Sequence, residues 1–380
     1  MIYLSEYNVD TFKGISNLHI SDLGDVNIIL GDNNCGKSSL LESMMLLKSM
    51  NDFGNVIRVA RIRNSVSVLA NRLTAFDSFI YLFDQASPSL EIGINGVLED
   101  EYVKYHMSGT LETVLVDMDL INRWNPRNRN MNRNQISFSE FDDVAEQGEA
   151  TEFQGIITAT LGNHIESIPI KFNQWSSLNG IRLNRDLTIG IEYVSPVEHT
   201  VGLLYNRIMR DSDFKNTVLK VIQLFDENIS DLLYQKNEQT NRPVEYVNHK
   251  ELGNIPLVAF GDGVKKVIAL ANKIAGAKGG ILLIDEIDTS LHSKYFDDIF
   301  RFVIDACKKF EIQLFVTTHN IEAIDSFLNT QDYDENHQNR DNDSLRIITL
   351  RKASHRTYSR VMTGEEVYHN RYNFGFEVRI

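Results

Sequence analysis

Hydrophobic and polar residues alternate along the first thirty residues, and Gly14 and Gly24 interrupt the alternation. A period of two is typical of strands, so we expect short antiparallel strands in this part of the chain. The compact apolar run at residues 26–30 (VNIIL) predicts a buried strand. A glycine-containing loop follows it, and residues 39–47 (SLLESMMLL) favour a helix. The chain is therefore predicted to open with strands that lead through a loop into a helix.

The middle of the chain is less regular. Residues 50–85 predict helices with breaks, whereas 89–120 and 152–173 alternate as strands do. Between these two strand regions, residues 122–150 are rich in Asn, Arg and acidic side chains and predict a loop or an insertion. Residues 201–234 have apolar positions spaced by three and four, which predicts amphipathic helices.

From residue 256 onward, apolar strands (281–284 and 312–316) alternate with predicted helices (293–309 and 321–328). This alternation favours parallel βαβ units. We therefore predict an α/β fold class, with a mixed central sheet, an antiparallel β subdomain and a helical lobe. The predicted units are 1–90 and 256–380 for the two halves of the core, 91–195 for the β subdomain and 196–255 for the helical lobe.

Composition narrows the class of protein. The 380 residues carry a formal net charge of -14 and only two cysteines, Cys35 and Cys307. Long-range steering towards nucleic acid is not expected from such an acidic chain. A disulfide framework, a cysteine-based metal site, a membrane-spanning helix and a secretory signal are also not expected, so we predict a cytoplasmic location.

The first chemical motif is residues 31–38 (GDNNCGKS), which fit the pattern G-x-x-x-x-G-K-[ST] between a predicted strand and a predicted helix. In such a phosphate-binding loop (P-loop), backbone N–H groups point at phosphate oxygens. Lys37 is expected to bridge the β- and γ-phosphates of ATP, and the Ser38 hydroxyl to bind Mg²⁺. The residues predicted to contact the nucleotide here are Gly31, Asn33, Asn34, Cys35, Gly36, Lys37, Ser38 and Ser39.

Two further motifs follow apolar strands. Asp285 and Glu286 come directly after residues 281–284 (ILLI), and His319 comes shortly after residues 312–316. Because ligands bind at the carboxyl ends of strands in open α/β sheets, we expect these side chains to converge on the phosphates. Asp285 is predicted to hold Mg²⁺, Glu286 to orient or deprotonate the attacking water, and His319 to contact the γ-phosphate.

A second glycine turn, Gly261-Asp262-Gly263, precedes a predicted helix and offers another anion site. One P-loop does not need a second phosphate site in its own chain, but the nucleotide of a second chain does. A simple tight turn before a helix is the alternative interpretation.

These four motifs in this order resemble the ABC-class ATPases. Within that class the chain is similar to the SMC-like and OLD-like (overcoming lysogenization defect) branch, and in particular to stand-alone ATPase subunits of Septu-, PARIS- or Gabija-type anti-phage systems, without a nuclease domain. The opening residues 12–15 (FKGI) and 25–38 and the ending 375–379 (GFEVR) share this resemblance, which is weak from about 50 to 195.

The resemblance implies an ABC-type ATPase head that uses ATP and Mg²⁺ and works as a homodimer or higher homo-oligomer. Residues 261–263 would then be the signature turn, which caps the γ-phosphate of the partner copy. Residues 288–292 (DTSLH) would be the D-loop, with Asp288 near the nucleotide. Transporter ATPases have serine where this chain has Gly261, so a hydroxyl contact is replaced by backbone N–H groups. Gln85 is a candidate for the glutamine loop, although a solvated loop residue is an equal alternative.

Two roles remain open at this stage. In the first, the protein is the ATPase subunit of a defence system and controls a separately encoded effector such as a nuclease. In the second, it is an SMC-like ATPase that acts on DNA directly. Local support for DNA comes from the basic run with Arg123, Trp124, Arg127, Arg129 and Arg133, for which a solvated loop is the alternative interpretation.

Overall fold

The computed structural model describes residues 3–63, 73–117, 147–176, 187–200, 204–236, 243–331, 333, 343–353 and 356–374. Within these ranges the chain forms three sheets and eight α-helices. The strands are β1 (Leu4–Phe12), β2 (Ile15–Ile20), β3 (Val26–Gly31), β4 (Leu90–Leu98), β5 (Glu101–Asp117), β6 (Gln147–Leu161), β7 (His164–Asn173), β8 (Ile191–Val194), β9 (Ile229–Lys236), β10 (Pro243–His249), β11 (Gly253–Pro256), β12 (Ile281–Ile284), β13 (Gln313–Thr317), β14 (Leu345–Ala353) and β15 (Arg356–Thr363). The helices are α1 (Lys37–Met44), α2 (Phe53–Ala60), α3 (Ala75–Ile80), α4 (Ser212–Ile222), α5 (Asp262–Gly276), α6 (Phe296–Lys309), α7 (Ile321–Asn329) and α8 (Gly364–Phe374).

The central sheet has the strand order β15-β14-β3-β13-β12-β8. All neighbouring pairs from β14 to β8 are parallel, and only the edge strand β15 runs antiparallel. Every residue of β3, β12 and β13 is buried. Strands of this kind need cover on both faces, which explains why they are continuously apolar instead of alternating. The sheet confirms the predicted α/β class with its mixed core.

Side chains of the central strands point alternately into two hydrophobic cores. Ile29 of β3 and Leu283 of β12 belong to one core, together with Leu40 and Leu41 of α1. Their neighbours Ile28 and Leu282 belong to the other core, which α5 and α6 cover. Because successive strand residues face opposite sides of a sheet, α1 and α5 pack on opposite faces.

The first core also joins the central sheet to an antiparallel sheet of order β2-β1-β4-β5-β6-β7. This sheet is an antiparallel subdomain of the predicted kind, but its composition differs from the predicted range 91–195. Strands β1 and β2, expected in the first half of the core, belong to it, whereas β8 belongs to the central sheet. Strand β6 begins at Gln147, so residues 147–150 are strand and not part of a loop as expected; the rest of the predicted insertion lies outside the described residues. Strand β6 pairs over its full length with residues 103–117 of β5, and the two strands extend past the ends of β4 and β7.

The expectation of helices throughout 201–234 is wrong. This region contains α4 and then β9, which pairs with β10 in a three-stranded antiparallel sheet of order β11-β10-β9. The apolar residues of 229–234 (ISDLLY) fit a helical spacing locally, but pairing with β10 places Ile229 and Leu232 in the second core as strand residues. The range predicted as a helical lobe therefore contains a sheet as well as a helix.

Among the residues described, no helix is both long enough and apolar enough to cross a membrane.

Candidate nucleotide-binding site

The P-loop lies between β3 and α1, as its sequence context predicts. Two of its glycines adopt positive φ angles, 139° at Gly31 and 105° at Gly36, which L side chains rarely adopt. A Cβ atom at Gly31 would lie 2.3 Å from the Leu350 carbonyl oxygen on the neighbouring strand. The glycines therefore allow the tight turn that lets the loop pass from β3 to the N-terminus of α1.

The Lys37 ammonium lies over the P-loop. Its Nζ donates hydrogen bonds to the carbonyl oxygens of Gly31 at 2.8 Å and Asp32 at 2.9 Å. The next residue, Ser38, donates from Oγ to Oδ1 of Asp285 at 3.1 Å, across 247 positions of sequence. The structure thus brings together the P-loop and the acidic strand end.

Within the P-loop, the side chains differ in exposure. Asn33 and Asn34 are exposed, Cys35 is buried, and Ser39 is half-buried in the first turn of α1. Burial raises the pKa of the Cys35 thiol. Asp32 and the two asparagines are therefore the P-loop side chains that face solvent, whereas Cys35 packs into the first core.

Asp285 is held by hydroxyl groups on both of its oxygens. Oδ1 accepts from Thr317 Oγ1 at 2.6 Å as well as from Ser38, and Oδ2 accepts from the Tyr193 hydroxyl at 3.2 Å. The carboxylate is only 4% exposed, so these bonds replace most of its contact with water. Burial, reinforced by the Asp285 charge, raises the pKa of Tyr193, which therefore remains a hydrogen-bond donor.

Glu286 is half-buried and has a positive φ of 48°. Its backbone N–H donates to Thr317 Oγ1 at 2.8 Å, and its Oε2 accepts from Thr289 Oγ1 at 3.1 Å. Thr317 therefore contacts both acidic residues, through the side chain of Asp285 and the backbone of Glu286. This arrangement fixes the two carboxylates relative to each other.

His319 is exposed just beyond the carboxyl end of β13, at the same edge of the sheet as the P-loop. The preceding residue, Thr318, donates to Oδ1 of Asp288 at 2.6 Å. Asn320 caps α7 by accepting from the Glu322 N–H at 2.9 Å. The predicted histidine and the predicted D-loop are thus adjacent through Thr318.

The predicted signature turn, residues 261–263, lies at the start of α5. Gly261 and Asp262 are exposed, and Asp262 pairs with Lys265 at 2.6 Å. Apart from Gly261 itself and its two chain neighbours, no heavy atom of the described residues lies within 4 Å of the position that a Cβ would take at Gly261. At Gly263, in contrast, a Cβ would lie 2.7 Å from the Phe225 ring. The turn is therefore open on the side of Gly261 and packed on the side of Gly263.

Lys266 was not identified from the sequence. It is fully buried on α5, and its Nζ donates to the Pro196 carbonyl oxygen at 3.4 Å. Burial lowers the pKa of Lys266 from 10.5 to about 8, while Asp288, Asp285 and Glu286 act in the opposite direction. The ammonium therefore supplies positive charge near the acidic cluster from the opposite face of the sheet to α1.

A second buried group supports α1. Glu42 is fully buried one turn after Ser38 and forms ion pairs with Lys13, at 2.5 Å, and with Arg63. A buried carboxylate is tolerated when it is paired in this way. The two cations connect α1 to the β1–β2 turn and to the segment after α2.

The remaining candidates from the sequence do not contribute to the site among the described residues. Gln85 donates to the carbonyl oxygens of Ile80 at 2.9 Å and Phe83 at 3.0 Å, within its own turn, which is the behaviour expected of a loop residue. The basic run 123–133 and the ending 375–379 lie outside the described residues. Tyr193 and Thr317, which sequence reasoning did not assign, are the contacts of Asp285 that it missed.

The residues present fit a magnesium ion. The Ser38 hydroxyl and the Asp285 carboxylate are potential oxygen ligands, and their oxygen atoms Oγ and Oδ1 lie 3.1 Å apart at the P-loop. Proteins commonly hold Mg²⁺ with one or two carboxylates together with substrate phosphates. Among the described residues no group of three or more His, Cys, Asp or Glu side chains could hold a metal by itself. The donor set therefore suits a metal that arrives with a nucleotide.

Comparisons with known proteins agree with this chemistry. Residues 175–325 match the family model described as "AAA domain, putative AbiEii toxin, Type IV TA system". The chain is 23% identical over 363 residues to an "ATP/GTP phosphatase" of Helicobacter pylori, covering 87% of this chain and 90% of that protein. It is also 28% identical over 203 residues to an uncharacterized protein of Methanocaldococcus jannaschii, covering 50% of this chain and 89% of that protein.

Among solved structures, an SMC head bound to the C-terminal winged-helix domain of ScpA aligns with a TM-score of 0.49 and 13% identity, covering 96% of this chain and 99% of that one. The match of residues 175–325 to an AAA domain, together with the geometry of the P-loop and its carboxylates, supports ATPase activity, the enzyme class predicted from the sequence.

Proposed function

We propose that this protein hydrolyses ATP at a composite site, to which one copy contributes the P-loop and the carboxylates and a second copy contributes its signature turn. The observation that carries the proposal is the position of that turn. It begins α5, which packs on the opposite face of the sheet from α1, and its Gly261 side is open.

The surroundings of the signature turn support a docking role. Val258, three residues before the turn, is 78% exposed, and Leu252 in the preceding hairpin is 70% exposed. Exposed apolar side chains beside a glycine turn favour contact with another protein surface. A second copy would cover them while placing the backbone N–H groups of its own signature turn near a phosphate.

The P-loop edge of the central sheet consists of Lys37, Ser38, Asp285, Glu286 and His319. In this proposal each of these residues has one task. Lys37 neutralises phosphate charge, and Ser38 and Asp285 hold Mg²⁺, which supplies positive charge to the phosphate oxygens. Glu286, oriented by Thr289, positions and deprotonates the attacking water. His319 contacts the γ-phosphate from the adjacent strand end.

Sedimentation of the Glu286→Gln variant tests this proposal. The variant should bind ATP and sediment as a dimer with ATP and Mg²⁺, and as a monomer with ADP. The double variant with Lys37→Ala is the matched control and should stay monomeric. A Glu286→Gln protein that remains monomeric at saturating ATP would contradict the composite site.

For the cellular role, we propose the ATPase subunit of an anti-phage defence system that controls a separately encoded effector protein. The support is the resemblance to such subunits. Tagged Glu286→Gln protein, recovered from its own host with and without ATP and analysed by mass spectrometry, tests it. A stoichiometric protein partner supports the role, and recovery of DNA without a protein partner contradicts it.

Direct action on DNA is the second candidate. The observation in its favour is the β5–β6 ribbon, which extends beyond its sheet and carries the sequence 118–146 with the basic run. Salt-dependent DNA binding that falls when Arg127 and Arg129 are replaced by glutamine would support it. Equal DNA binding by the parent and the variant would remove this candidate.

A further inference from the structure

A cavity of about 670 Å³ lies away from the P-loop, between the start of α4 and the end of α5. Lys278 and Phe310, which line it, precede β12 and β13 respectively. The P-loop and Asp285 follow the carboxyl ends of β3 and β12, so the cavity lies at the amino edge of the parallel strands. A ligand there would not contact the nucleotide site.

The lining of this cavity is rich in cations although the chain as a whole has a net charge of -14. Arg207, Arg210 and Lys278 line it, whereas Asp211 is its single lining carboxylate. Lys309 lies nearby, with Nζ 5.6 Å from the centroid of the Phe310 ring. This local excess of positive charge favours an anion.

Two of the cations are held in place by the protein. Arg207 pairs with Glu192 at 3.1 Å, and its guanidinium lies so close to Gly276 that a Cβ there would be 1.6 Å from it. Lys278 Nζ lies 4.2 Å from the centroid of the Phe310 ring and 3.7 Å from Asp211. These contacts order the two side chains before any ligand binds, which reduces the entropy cost of binding.

Arg210 differs from them. It is exposed beside the cavity. Its backbone N–H donates to the Arg207 carbonyl oxygen at 3.2 Å, but its guanidinium has no hydrogen-bond or ion-pair partner within the described part of the chain. Asp211, in contrast, is already engaged, because its Oδ1 accepts from the Phe214 N–H at 3.0 Å to cap α4. Arg210 therefore has its full set of donors available to a ligand, whereas the one carboxylate is occupied.

We propose that this cavity binds a small anion with two or more phosphate groups. Its volume is in the range of small-molecule sites, roughly 300–1,000 Å³. Arginine forks and lysine ammonium groups form charge-assisted hydrogen bonds with phosphate oxygens. Arg207, Arg210 and Lys278 would each contact phosphate, and the Ser212 hydroxyl, which also lines the cavity, would donate to it. The proposal is independent of the composite ATP site.

Calorimetric titration with inorganic tripolyphosphate tests this site. Lys37→Ala protein serves as the background, because it weakens phosphate binding at the P-loop. We expect saturable binding with one site per chain. Adding Arg210→Glu should weaken it at least about tenfold, because a charge-assisted contact is replaced by repulsion. The matched control is Arg301→Glu, which makes the same charge change at an exposed position of α6 and should leave the affinity within about twofold.

Three results would overturn the proposal: no saturable binding in the Lys37→Ala background, equal weakening by the two glutamate variants, or binding of a short single-stranded oligonucleotide where tripolyphosphate fails to bind. The single variant Arg210→Glu should keep the parent's ATP affinity and hydrolysis rate. This measurement separates failure of the cavity proposal from failure of the composite ATP site.

Discussion

The P-loop edge and the signature turn differ in how far one chain completes them. At the P-loop edge, Asp285 is almost fully buried and receives hydrogen bonds from Ser38, Thr317 and Tyr193. At the signature turn, Gly261 is exposed and has open space beside it, and Val258 extends into solvent. The first region groups the residues that we propose to bind metal and phosphates, whereas the second leaves its glycine turn open to solvent, as our proposed contact with a second copy requires.

This difference indicates which functions one chain can perform alone. In our proposal, binding of nucleotide needs only the P-loop edge, where the polar groups already support one another. Hydrolysis, in our proposal, also needs the signature turn of a second copy. Variants at the two regions should therefore separate binding from turnover.

The largest expected effect is at Lys37. Lys37→Ala should weaken ATP binding by at least about 100-fold, because loss of a phosphate-neutralising charge costs about 3 kcal/mol or more. Fluorescence titration with a labelled ATP analogue measures this change. Unchanged affinity would show that the loop does not bind phosphate.

Glu286→Gln should lower the hydrolysis rate about 100-fold or more while ATP affinity stays within a few-fold, because a general base is lost but the metal ligands remain. Phosphate release at saturating ATP is the measurement. Turnover at the parent rate would exclude Glu286 as the base.

Thr317→Val tests the preorganisation of the carboxylates. Its hydroxyl contacts both Asp285 and the Glu286 backbone, so its loss should lower turnover or Mg²⁺ affinity about tenfold. Mn²⁺ affinity, measured by electron paramagnetic resonance, gives a readout besides activity. The matched control is Thr357→Val, which removes a buried hydroxyl that has no hydrogen-bond partner among the described residues. Equal metal affinities in the two variants would contradict the positioning role of Thr317.

The last expected effect concerns stability instead of activity and is a pH dependence at Lys266. The pKa is 10.5 for an ordinary lysine and about 8 for the buried one, so the unfolded state binds more protons between these values. The destabilising contribution of Lys266 is therefore fully present below about pH 8 and decreases as the pH rises towards 10.5.

Denaturant unfolding of the parent and of Lys266→Met at pH 8 and pH 10 measures this contribution. The parent should gain stability relative to the variant at the higher pH. Lys220→Met, at an exposed position of α4, is the control and should show no such change relative to the parent. A constant difference between parent and Lys266→Met would contradict the lowered pKa.

The sequence was sufficient for the P-loop, the two acidic residues and the central strands, because each depends on a local pattern. A strand, a glycine loop and a helix follow one another directly at residues 26–44. The buried strands β12 and β13 are short apolar runs that end at Asp285 and near His319. The succession of elements along a short stretch of sequence is enough to place such residues at one edge of a parallel sheet.

The contacts that sequence analysis missed depend on pairing between distant segments. Tyr193 reaches Asp285 only because β8 lies beside β12, with Tyr193 opposite Leu283. Lys266 lies in a helical pattern where a lysine usually reaches solvent, and only packing against residue 196 and the acidic cluster buries it. The sequence predicts a helix at strand β9 for the same reason, since its partner β10 comes later in the chain.

The structure indicates which glycine of the signature turn should be substituted to test contact with a second copy. A side chain at Gly263 would collide with Phe225 of the same chain, whereas one at Gly261 meets open space. Gly261→Arg should therefore fold normally and block only the approach of a second copy. Thr113→Arg, at an exposed position of β5, adds the same charge elsewhere and is the control.

The most direct test of the composite site is the ATPase rate of Lys37→Ala and Gly261→Arg chains, each alone and mixed in equal amounts. Each variant alone should be inactive. In a mixed dimer, the intact P-loop of one chain meets the intact signature turn of the other, so activity should recover to about a quarter of the parent rate if pairing is random and the two sites act independently. Parent-level hydrolysis by Gly261→Arg alone, or no recovery on mixing, would contradict the account.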